Sequence, residues 1–198
     1  MKMILASNNQ KKLREMQTLL ADLGVELVSQ RDAGCDFEVD ETGTTFEENA
    51  FLKASAVTRA TGQIAVADDS GLAVDALDGA PGIYSARFTG NHEDSDADRN
   101  AYLLKKLAGV SDRSGRFVCA ICCTFPNGDV IRTRGECPGV ITTAPCGSGG
   151  FGYDPVFLPD GADRTMAELS PEEKNLLGHR GKAIRALKER LKEYYADK

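Results

Sequence analysis

The sequence lacks a hydrophobic run long enough to cross a membrane. A membrane-spanning helix needs about 20 consecutive apolar residues, and no segment of the 198-residue chain approaches that length. Residues 1–6 carry one lysine and a very short apolar run. That run is too short for a signal peptide and instead predicts a first β-strand. We therefore expect no membrane partner.

The cysteines lack the spacing of a disulfide framework. Three of the six lie in the apolar stretch 117–125, where cysteine usually behaves as a small hydrophobic residue. Cys119 and Cys122 have a spacing found in zinc sites, but no second pair follows, and residues three apart on a strand point to opposite faces. Free thiols without an export signal predict a cytoplasmic protein.

An excess of positive charge is also lacking. The chain has 24 basic and 30 acidic residues, a net charge of −6, whereas domains that bind duplex nucleic acid are usually basic. This disfavours a nucleic-acid partner but leaves small polyphosphates open, because a metal ion and a few local cations can offset their charge. Neither an internal repeat nor a linker is evident, so we expect a single domain over residues 1–198.

Predicted strands and helices alternate along the chain. We predict strands at residues 2–6, 25–29, 64–67, 116–125, 130–135 and 156–158. We predict helices at 9–23, 45–61 and 99–108, another beginning at Ser170-Pro171, and a last one after Gly181. The strands at 116–125 and 130–135 form a predicted hairpin, which predicts an α/β fold with a mixed, twisted sheet flanked by helices.

The first polar segment of interest is residues 7–12, where a strand turns into a helix. Free backbone N–H groups and the helix dipole make such a turn an anion site. Ser7, Asn8 and Asn9 add short donors, and Lys12 adds a cation. The segment lacks the paired glycines of a Walker motif. The alternative is ordinary helix capping followed by solvated lysines.

Two acidic pairs, Asp40-Glu41 and Asp68-Asp69, flank the predicted helix 45–61. Adjacent carboxylates repel each other and are best tolerated beside positive charge. A hard cation such as Mg²⁺ with a phosphate partner would supply it. The alternative for Asp68-Asp69 is a turn, since Asp, Ser and Gly are all favoured there.

The glycine-rich run 147–152 matches G-x-G-x-x-G, but it is not a dinucleotide fingerprint, because Pro155 and a strand-like run follow instead of a helix. Phe151 or Tyr153 could offer a stacking surface, although a flexible loop is an equal alternative. Further along, Lys174 and the pair His179-Arg180 could donate hydrogen bonds to a carbonyl oxygen of a ligand base. The alternative is that these cations only complement a helix dipole.

Six segments in this order resemble the inosine/xanthosine triphosphate pyrophosphatase family over nearly the whole chain. They are residues 6–15 (ASNNQKKLRE), 41–50 (ETGTTFEENA), 67–72 (ADDSGL), 79–87 (GAPGIYSAR), 149–155 (GGFGYDP) and 178–181 (GHRG). The resemblance implies a mixed-sheet fold with two lobes around a central cleft, a homodimer and Mg²⁺ dependence. It also implies hydrolysis of ITP, dITP and XTP to the monophosphate and pyrophosphate.

The resemblance assigns roles to particular residues. The triphosphate-binding segment maps onto Ser7, Asn8, Asn9, Gln10, Lys11 and Lys12. Asp69 maps onto the catalytic and metal residue, Ser70 onto a substrate contact, and the base-binding side onto Phe151, Gly152, Tyr153, Asp154, Lys174, His179 and Arg180. In the mechanism expected from these positions, Mg²⁺ is held by Asp69 and Glu41, Asp69 with Asp68 prepares the attacking water, and Lys12 offsets phosphate charge. Glu41 is preferred over Asp40 as the metal residue.

Other functions remain open at this point. A pyrophosphatase for modified pyrimidine nucleotides would share the same phosphate chemistry. A nucleotide-binding regulator would bind without turnover, but it would not need a base beside the metal. A scaffolding role is disfavoured by the many polar segments at predicted strand ends. The sequence does not indicate how GTP, which shares the 6-oxo group of ITP, is excluded.

Overall fold

The computed structural model describes residues 1–91 and 93–196, and within them one six-stranded sheet is flanked by helices. The strands are β1 (Lys2–Leu5), β2 (Glu26–Ser29), β3 (Ala65–Val74), β4 (Ser114–Thr124), β5 (Val130–Ile141) and β6 (Phe157–Pro159). The helices are α1 (Gln10–Leu20), α2 (Phe46–Thr61), α3 (Asp96–Lys106), α4 (Pro171–Leu177) and α5 (His179–Ala196). The strand order is β2-β1-β3-β4-β5-β6. Strand β1 pairs in parallel with β2 and β3, whereas β5 and β6 are antiparallel. The predicted α/β fold with a mixed sheet is confirmed.

Helix α1 follows from local sequence signals. The side chain of Asn9 accepts hydrogen bonds from the backbone N–H groups of the first turn, as an N-cap does. Leu13, Met16 and Leu20 recur at helical spacing and are buried. The helix ends at Leu20, earlier than predicted, and a 3₁₀ turn leads to Gly24, whose positive φ of 62° closes the segment.

Strand β3 differs from the prediction at its C-terminal end. The sequence predicted a short strand ending on Asp68-Asp69, but β3 runs for ten residues and carries both aspartates, Ser70 and Gly71 within it. The turn-like composition is therefore overridden by the surrounding structure. Strand β3 lies between β1 and β4 in the sheet, so strand pairing holds this segment extended. Ion pairs with lysines of neighbouring helices balance the charges of the two aspartates.

Helix α5 also differs from the prediction, because it starts at His179 and contains Gly181. Glycines lie on both sides of His179-Arg180, but Gly181 is within the helix, so no unusual backbone conformation is used there. Gly178 ends α4 with φ −71° and ψ 156°, an extended conformation open to any residue. A Cβ at Gly178 would instead collide with the Lys174 carbonyl oxygen, so the residue is small for reasons of space.

The described chain divides into two compact units. The first contains residues 1–69, 119–135 and the segment from residue 180 onward, and the second contains residues 70–118 and 136–179. In the first unit, β1 alternates its side chains between two apolar clusters. Met3 and Leu5 pack with residues of α1 and α5, whereas Ile4 and Ala6 pack with residues of α2. The second unit has its own apolar cluster, which includes Leu103 and Phe157. The central cleft implied by the family resemblance stays a prediction.

None of the helices in the described ranges is both long and apolar enough to cross a membrane. None of the six cysteines forms a disulfide bond, and five of them are buried. Burial raises the pKa of the Cys122 thiol to about 11, so this thiol is protonated at neutral pH. The apolar interpretation of the stretch 117–125 therefore agrees with its position in β4.

Candidate active site

A cavity of about 380 Å³ opens in the first unit where β1 turns into α1. Its walls come from that turn, from the loop after β2, from α2 and from β3. The lining residues are Ala6, Ser7, Asn8, Asn9, Lys12, Gln30, Phe37, Glu38, Val39, Glu41, Lys53 and Asp68. Several residues predicted to bind phosphate and metal are thus brought to one cavity.

The short polar side chains of the turn shape its backbone. Asn9 Oδ1 accepts hydrogen bonds from the N–H groups of Lys11 and Lys12 at 3.0 and 3.2 Å, and Ser7 Oγ accepts one from Asn9 N at 3.1 Å. Asn8 Oδ1 accepts from Arg31 N at 3.1 Å. The capping alternative therefore describes Asn9 correctly. Lys12 is not a solvated lysine, however, because its ammonium contacts Asp68. Gln10 and Lys11 are exposed on the first turn of α1.

Asp68 is held between two cations on one face of the sheet. It is 2% exposed, and its carboxylate lies 3.0 Å from Lys12 Nζ and 3.3 Å from Arg180 Nη2. Burial raises the pKa of Asp68, but the charges of Lys12, Arg180 and Lys53 outweigh burial and hold the pKa well below its usual range. Asp68 is therefore a permanent anion that fixes the Lys12 ammonium at the cavity wall.

Asp69 points to the opposite face, because successive residues of a strand alternate. There Lys53 Nζ lies 3.5 Å from Asp69 Oδ1 and 2.6 Å from Glu41 Oε1. Burial is the largest cause that raises the pKa of Asp69, and the Glu41 charge adds to it, while Lys53 opposes both. Burial disfavours the charged form of Lys53. The charges of Asp69, Asp68 and Glu41 outweigh burial and raise the pKa of the ammonium.

The two adjacent carboxylates are thus pushed in opposite directions. The pKa of Asp68 is lowered and that of Asp69 is raised, a pattern that separates a fixed charge from a group able to take a proton. The pleat and the three cations explain how the fold tolerates both acids without requiring them to share one ion. Asp69 has the environment of a general base, and Asp68 has that of an anchor for Lys12.

Asn49 is hydrogen-bonded to the loop that carries Glu41, and it also influences Asp69. It is fully buried, and its Oδ1 accepts a hydrogen bond from Gly43 N at 2.8 Å. Its Nδ2 and the Oδ2 of Asp69 are also buried, and neither makes a hydrogen bond of ordinary geometry within the described chain. The Asn49 amide is nevertheless one of the groups that lower the pKa of Asp69.

Sequence reasoning missed Lys53 and Asn49. They lie four residues apart in α2, one turn from each other on one side of the helix, next to the apolar positions Ala50 and Ala54. A lysine and an asparagine that extend the buried face of a helix are the signal that could have identified them. The amphipathic pattern of α2 instead indicated a conventional core-facing stripe.

Two carboxylates near the cavity are the candidate ligands for the expected metal ion. In the described residues, no three His, Cys, Asp or Glu side chains converge as a preformed cluster. Two carboxylates, those of Glu41 and Asp69, share one ammonium, and Asp69 has an unpaired buried oxygen. Mg²⁺ is commonly held by one or two carboxylates with substrate phosphates and water. The residues present therefore fit Mg²⁺ as a partner of a phosphate ligand.

The second unit gathers three of the residues predicted for the base. Lys174 Nζ lies 2.6 Å from Asp154 Oδ2 and 4.8 Å from the centre of the Phe151 ring. The same Asp154 oxygen accepts a hydrogen bond from Phe151 N at 3.0 Å. Gly150 has a φ of +71°, and a Cβ there would collide with this carboxylate. The glycine loop is therefore an ordered element with a half-buried aromatic ring, and its role in base binding stays a prediction.

Tyr153 and His179 are more enclosed than Phe151. Tyr153 is 4% exposed, and its hydroxyl donates to the Ser85 carbonyl oxygen at 2.7 Å. The His179 ring stacks on Phe117 with centroids 4.8 Å apart and an interplanar angle of 13°. Of the two candidate stacking aromatics, Phe151 is the more accessible. The predicted substrate contacts of Gly152, Tyr153, His179 and Ser70 stay predictions.

Arg180 lies in the first unit, with the phosphate-side acids. Its guanidinium contacts Glu15 at 2.6 Å and Asp68 at 3.3 Å. Burial disfavours its charge, but Asp68 and Glu15 outweigh burial, and the net effect raises the pKa of Arg180. Consecutive residues His179 and Arg180 therefore belong to different units, and the base-binding role predicted for Arg180 stays a prediction.

Comparison with known proteins identifies the family of this chain. The model of the Ham1 family matches residues 3–190. The chain belongs to the Ham1 family. The structure of the Staphylococcus aureus Ham1 protein is similar over 98% of this chain and 100% of that one, with a TM-score of 0.89 and 41% identity. The fold deduced from the strand order is thus the fold of the family.

Curated Ham1 relatives are closely similar in sequence. A dITP/XTP pyrophosphatase of an Exiguobacterium strain is 50% identical over 187 residues, which cover 94% of this chain and 95% of the relative. A dITP/XTP pyrophosphatase of Gloeobacter violaceus is 52% identical over 185 residues, which cover 93% and 91%. The resemblance seen in the six sequence segments is confirmed.

Proposed function

We propose that this Ham1 protein hydrolyses ITP, dITP and XTP to the nucleoside monophosphate and pyrophosphate, removing deaminated purines from the nucleotide pool. The observation that carries the proposal is Asp69, a buried acid with a raised pKa, 3.5 Å from the Lys53 ammonium. Relatives with about 50% identity over nearly their full length are named dITP/XTP pyrophosphatases. This supports the pyrophosphatase over a binding protein without turnover.

In the proposed reaction, Asp69 takes a proton from the water that attacks the α-phosphorus. Its raised pKa favours proton uptake, while Asp68 stays ionised and holds Lys12 in place. Lys12 and Lys53 offset the negative charge that develops on the departing pyrophosphate. The backbone N–H groups at the start of α1 add donors for phosphate oxygens.

We propose Mg²⁺ as the cofactor, with Glu41 and Asp69 as its protein ligands. When bound, Mg²⁺ would polarise the phosphate oxygens and neutralise charge on the leaving group. Lys53 contacts the same two carboxylates, so their spacing already suits a cation. The unpaired oxygen of Asp69 supports this assignment.

Base selection is assigned to Phe151, Asp154 and Lys174. Hypoxanthine and xanthine carry a 6-oxo group where adenine carries an amine, so a donor satisfied by the oxo group disfavours ATP. Lys174 is a cation beside the Phe151 ring and is oriented by Asp154. An aromatic face and a fixed donor together suit a purine with a carbonyl at position 6.

The test measures pyrophosphate release from ITP, dITP, XTP, ATP and GTP by wild type and Asp69→Asn, with Mg²⁺ and after chelation. Wild type is expected to prefer the deaminated purines and to lose activity on chelation. Asp69→Asn is expected to lower kcat at least about 10²-fold, because the general base is removed.

Asp163→Asn is the matched control, since Asp163 is an exposed acid of the second unit, 91% accessible at its side chain. It should leave turnover unchanged. Turnover of ATP or GTP as fast as ITP, or orthophosphate as the product, would contradict the proposal. Binding of ITP without any product would favour the regulator.

We also propose that the enzyme works in the cytoplasm as a homodimer. Six cysteines without a disulfide bond support a reducing compartment, and the dimer rests on the family resemblance. Light scattering of the purified chain at micromolar concentration measures its mass directly. A monomer at all concentrations would contradict the dimer.

A further inference from the structure

Helix α3 holds the glycine loop of the second unit at a single residue, Gly152. Asp96 Oδ2 accepts a hydrogen bond from Gly152 N at 2.7 Å. Asn100 Nδ2 donates one to the Gly152 carbonyl oxygen at 3.1 Å. Asp96 and Asn100 are four residues apart and thus lie on one face of the helix. Both backbone polar groups of one loop residue are therefore fixed by one turn of α3.

Stability alone does not account for Asn100. The residue is 4% exposed, and within the described ranges its Oδ1 is buried without a hydrogen-bond partner. The following turn of α3 contributes Leu103 to the apolar cluster of the unit. A buried amide that is half satisfied costs more than an apolar side chain of similar size. What the amide does provide is its bond to Gly152.

Gly152 is the point where the loop needs such support. Its φ of +62° lies in the left-handed region, where glycine has the most conformational freedom. The preceding residue is Phe151, whose ring is half-buried and lies under the Lys174 ammonium. Asp154 fixes the N–H of Phe151, and α3 fixes the next peptide. A change in the backbone conformation of Gly152 therefore shifts the neighbouring Phe151 and its ring.

We infer that Asp96 and Asn100 are positioning residues that set the Phe151 ring, and with it the affinity and selectivity for the purine base. They touch the loop backbone and act on the substrate through Phe151. This inference rests on the proposed function in one respect, the assignment of Phe151 to the base. The clamp on Gly152 is independent of that assignment.

The test uses Asn100→Leu and Asp96→Ala in the full-length protein, with two readouts. Hydrogen exchange of the backbone amides of residues 150–157 should become about tenfold faster, as expected when one hydrogen bond is lost. In both variants KM for ITP should rise about five- to tenfold while kcat changes less than twofold, since a ground-state contact is weakened. The ITP/GTP ratio of kcat/KM should fall.

Asp98→Asn is the matched control on the same helix. Asp98 caps α3 through Ser95, and no hydrogen bond of its side chain to Gly152 is present. This variant should lower the melting temperature without moving KM or the ITP/GTP ratio. Asp96→Ala also releases Arg99, which pairs with Asp96. Agreement between it and Asn100→Leu separates the clamp from that ion pair.

The possible outcomes test the clamp on Gly152, its link to base binding and the proposed function separately. Unchanged exchange at residues 150–157 in both variants would overturn the clamp, even if activity fell. Faster exchange with unchanged KM and substrate ratio would overturn the link from the loop to the base. A wild-type protein that releases no pyrophosphate from ITP would refute the proposed function, while the exchange result would still test the clamp. If Asn100→Leu fails to fold, Asp96→Ala at the helix surface carries the test.

Discussion

Lys53 lies in an environment that its neighbours in the sequence do not indicate. In a helix of mixed composition, a lysine normally projects into solvent and contributes little. Here its ammonium contacts Glu41 and Asp69, and its side chain is only 14% exposed. The two acids repel each other and are partly desolvated, so the lysine both stabilises them and supplies positive charge at the cavity wall.

Replacing Lys53 with Met should therefore lower kcat/KM for ITP by about 10²-fold or more, the scale seen when one charge-stabilising donor is removed. The variant should also melt at a lower temperature, because Asp69 and Glu41 keep their repulsion and lose their shared cation. Steady-state pyrophosphate release and thermal unfolding measure the two effects.

Lys53→Arg is the control that retains the charge but not the shape. It should recover most of the melting temperature and only part of the activity, because a planar guanidinium places its donors differently from an ammonium. Full activity of Lys53→Met would show that the lysine stabilises the acids without taking part in phosphate chemistry.

At the scale of elements, the predicted helices and strands were largely correct, and the errors have physical causes. The caps at Asn9, Thr45 and Ser170 act within a few residues of sequence, so they predict helix starts well. Strand β3 was cut short because Asp68-Asp69 is typical of a turn. Its pairing with β4 and the cations of α1, α2 and α5 that balance the two acids come from other parts of the chain, and local patterns do not report them.

In the site, too, residues within sequence motifs were predicted, whereas contacts between distant parts of the chain were missed. Asp69 and Lys12 were found because their segments carry family motifs. The pairing of Arg180 with Asp68 was missed, since 112 residues separate the two partners. Thr45 and Glu48 have the spacing of a reciprocal capping box, but the Glu48 carboxylate accepts from Thr44, so only the Thr45 half of the box forms. Side-chain reach in three dimensions decides such details.

The acids of the two complete capping boxes should make stability depend on acidic pH. Hydrogen bonds from Ser95 lower the pKa of Asp98 below its ordinary 3.8, and those from Ser170 with Arg164 lower the pKa of Glu173 below 4.5. A lowered folded-state pKa means that the stabilisation is complete above the ordinary values. It is lost as the pH falls through the folded-state values.

Urea unfolding midpoints at pH 7, 5, 4 and 3 measure this effect in wild type and in the double variant Asp98→Asn/Glu173→Gln. The variant should be less stable at pH 7, and the two curves should converge toward pH 3. Glu172→Gln changes a neighbouring acid in the first turn of α4 and leaves both boxes intact, so it should follow wild type. Parallel curves for wild type and the double variant would refute the capping contribution.

For the whole molecule, the order of segments along the chain constrains folding. The first unit is assembled from three separate stretches of sequence, and the second from two. The apolar cluster that packs α1 against the sheet takes four of its buried residues from α5, namely Ala183, Ile184, Leu187 and Leu191. No N-terminal fragment therefore contains a complete core for the first unit.

A chain that stops at residue 178 should consequently fail to fold. Loss of the three large aliphatic side chains of α5 removes roughly 5–9 kcal/mol of burial energy, which is comparable with the whole stability of a typical domain. It also leaves Asp68 without Arg180.

Circular dichroism and binding of a hydrophobic dye should report a collapsed or aggregated chain without ITP hydrolysis. A chain that stops at residue 196 retains all four residues and should behave as wild type. A cooperative thermal transition in the shorter chain would show that the first unit folds without α5.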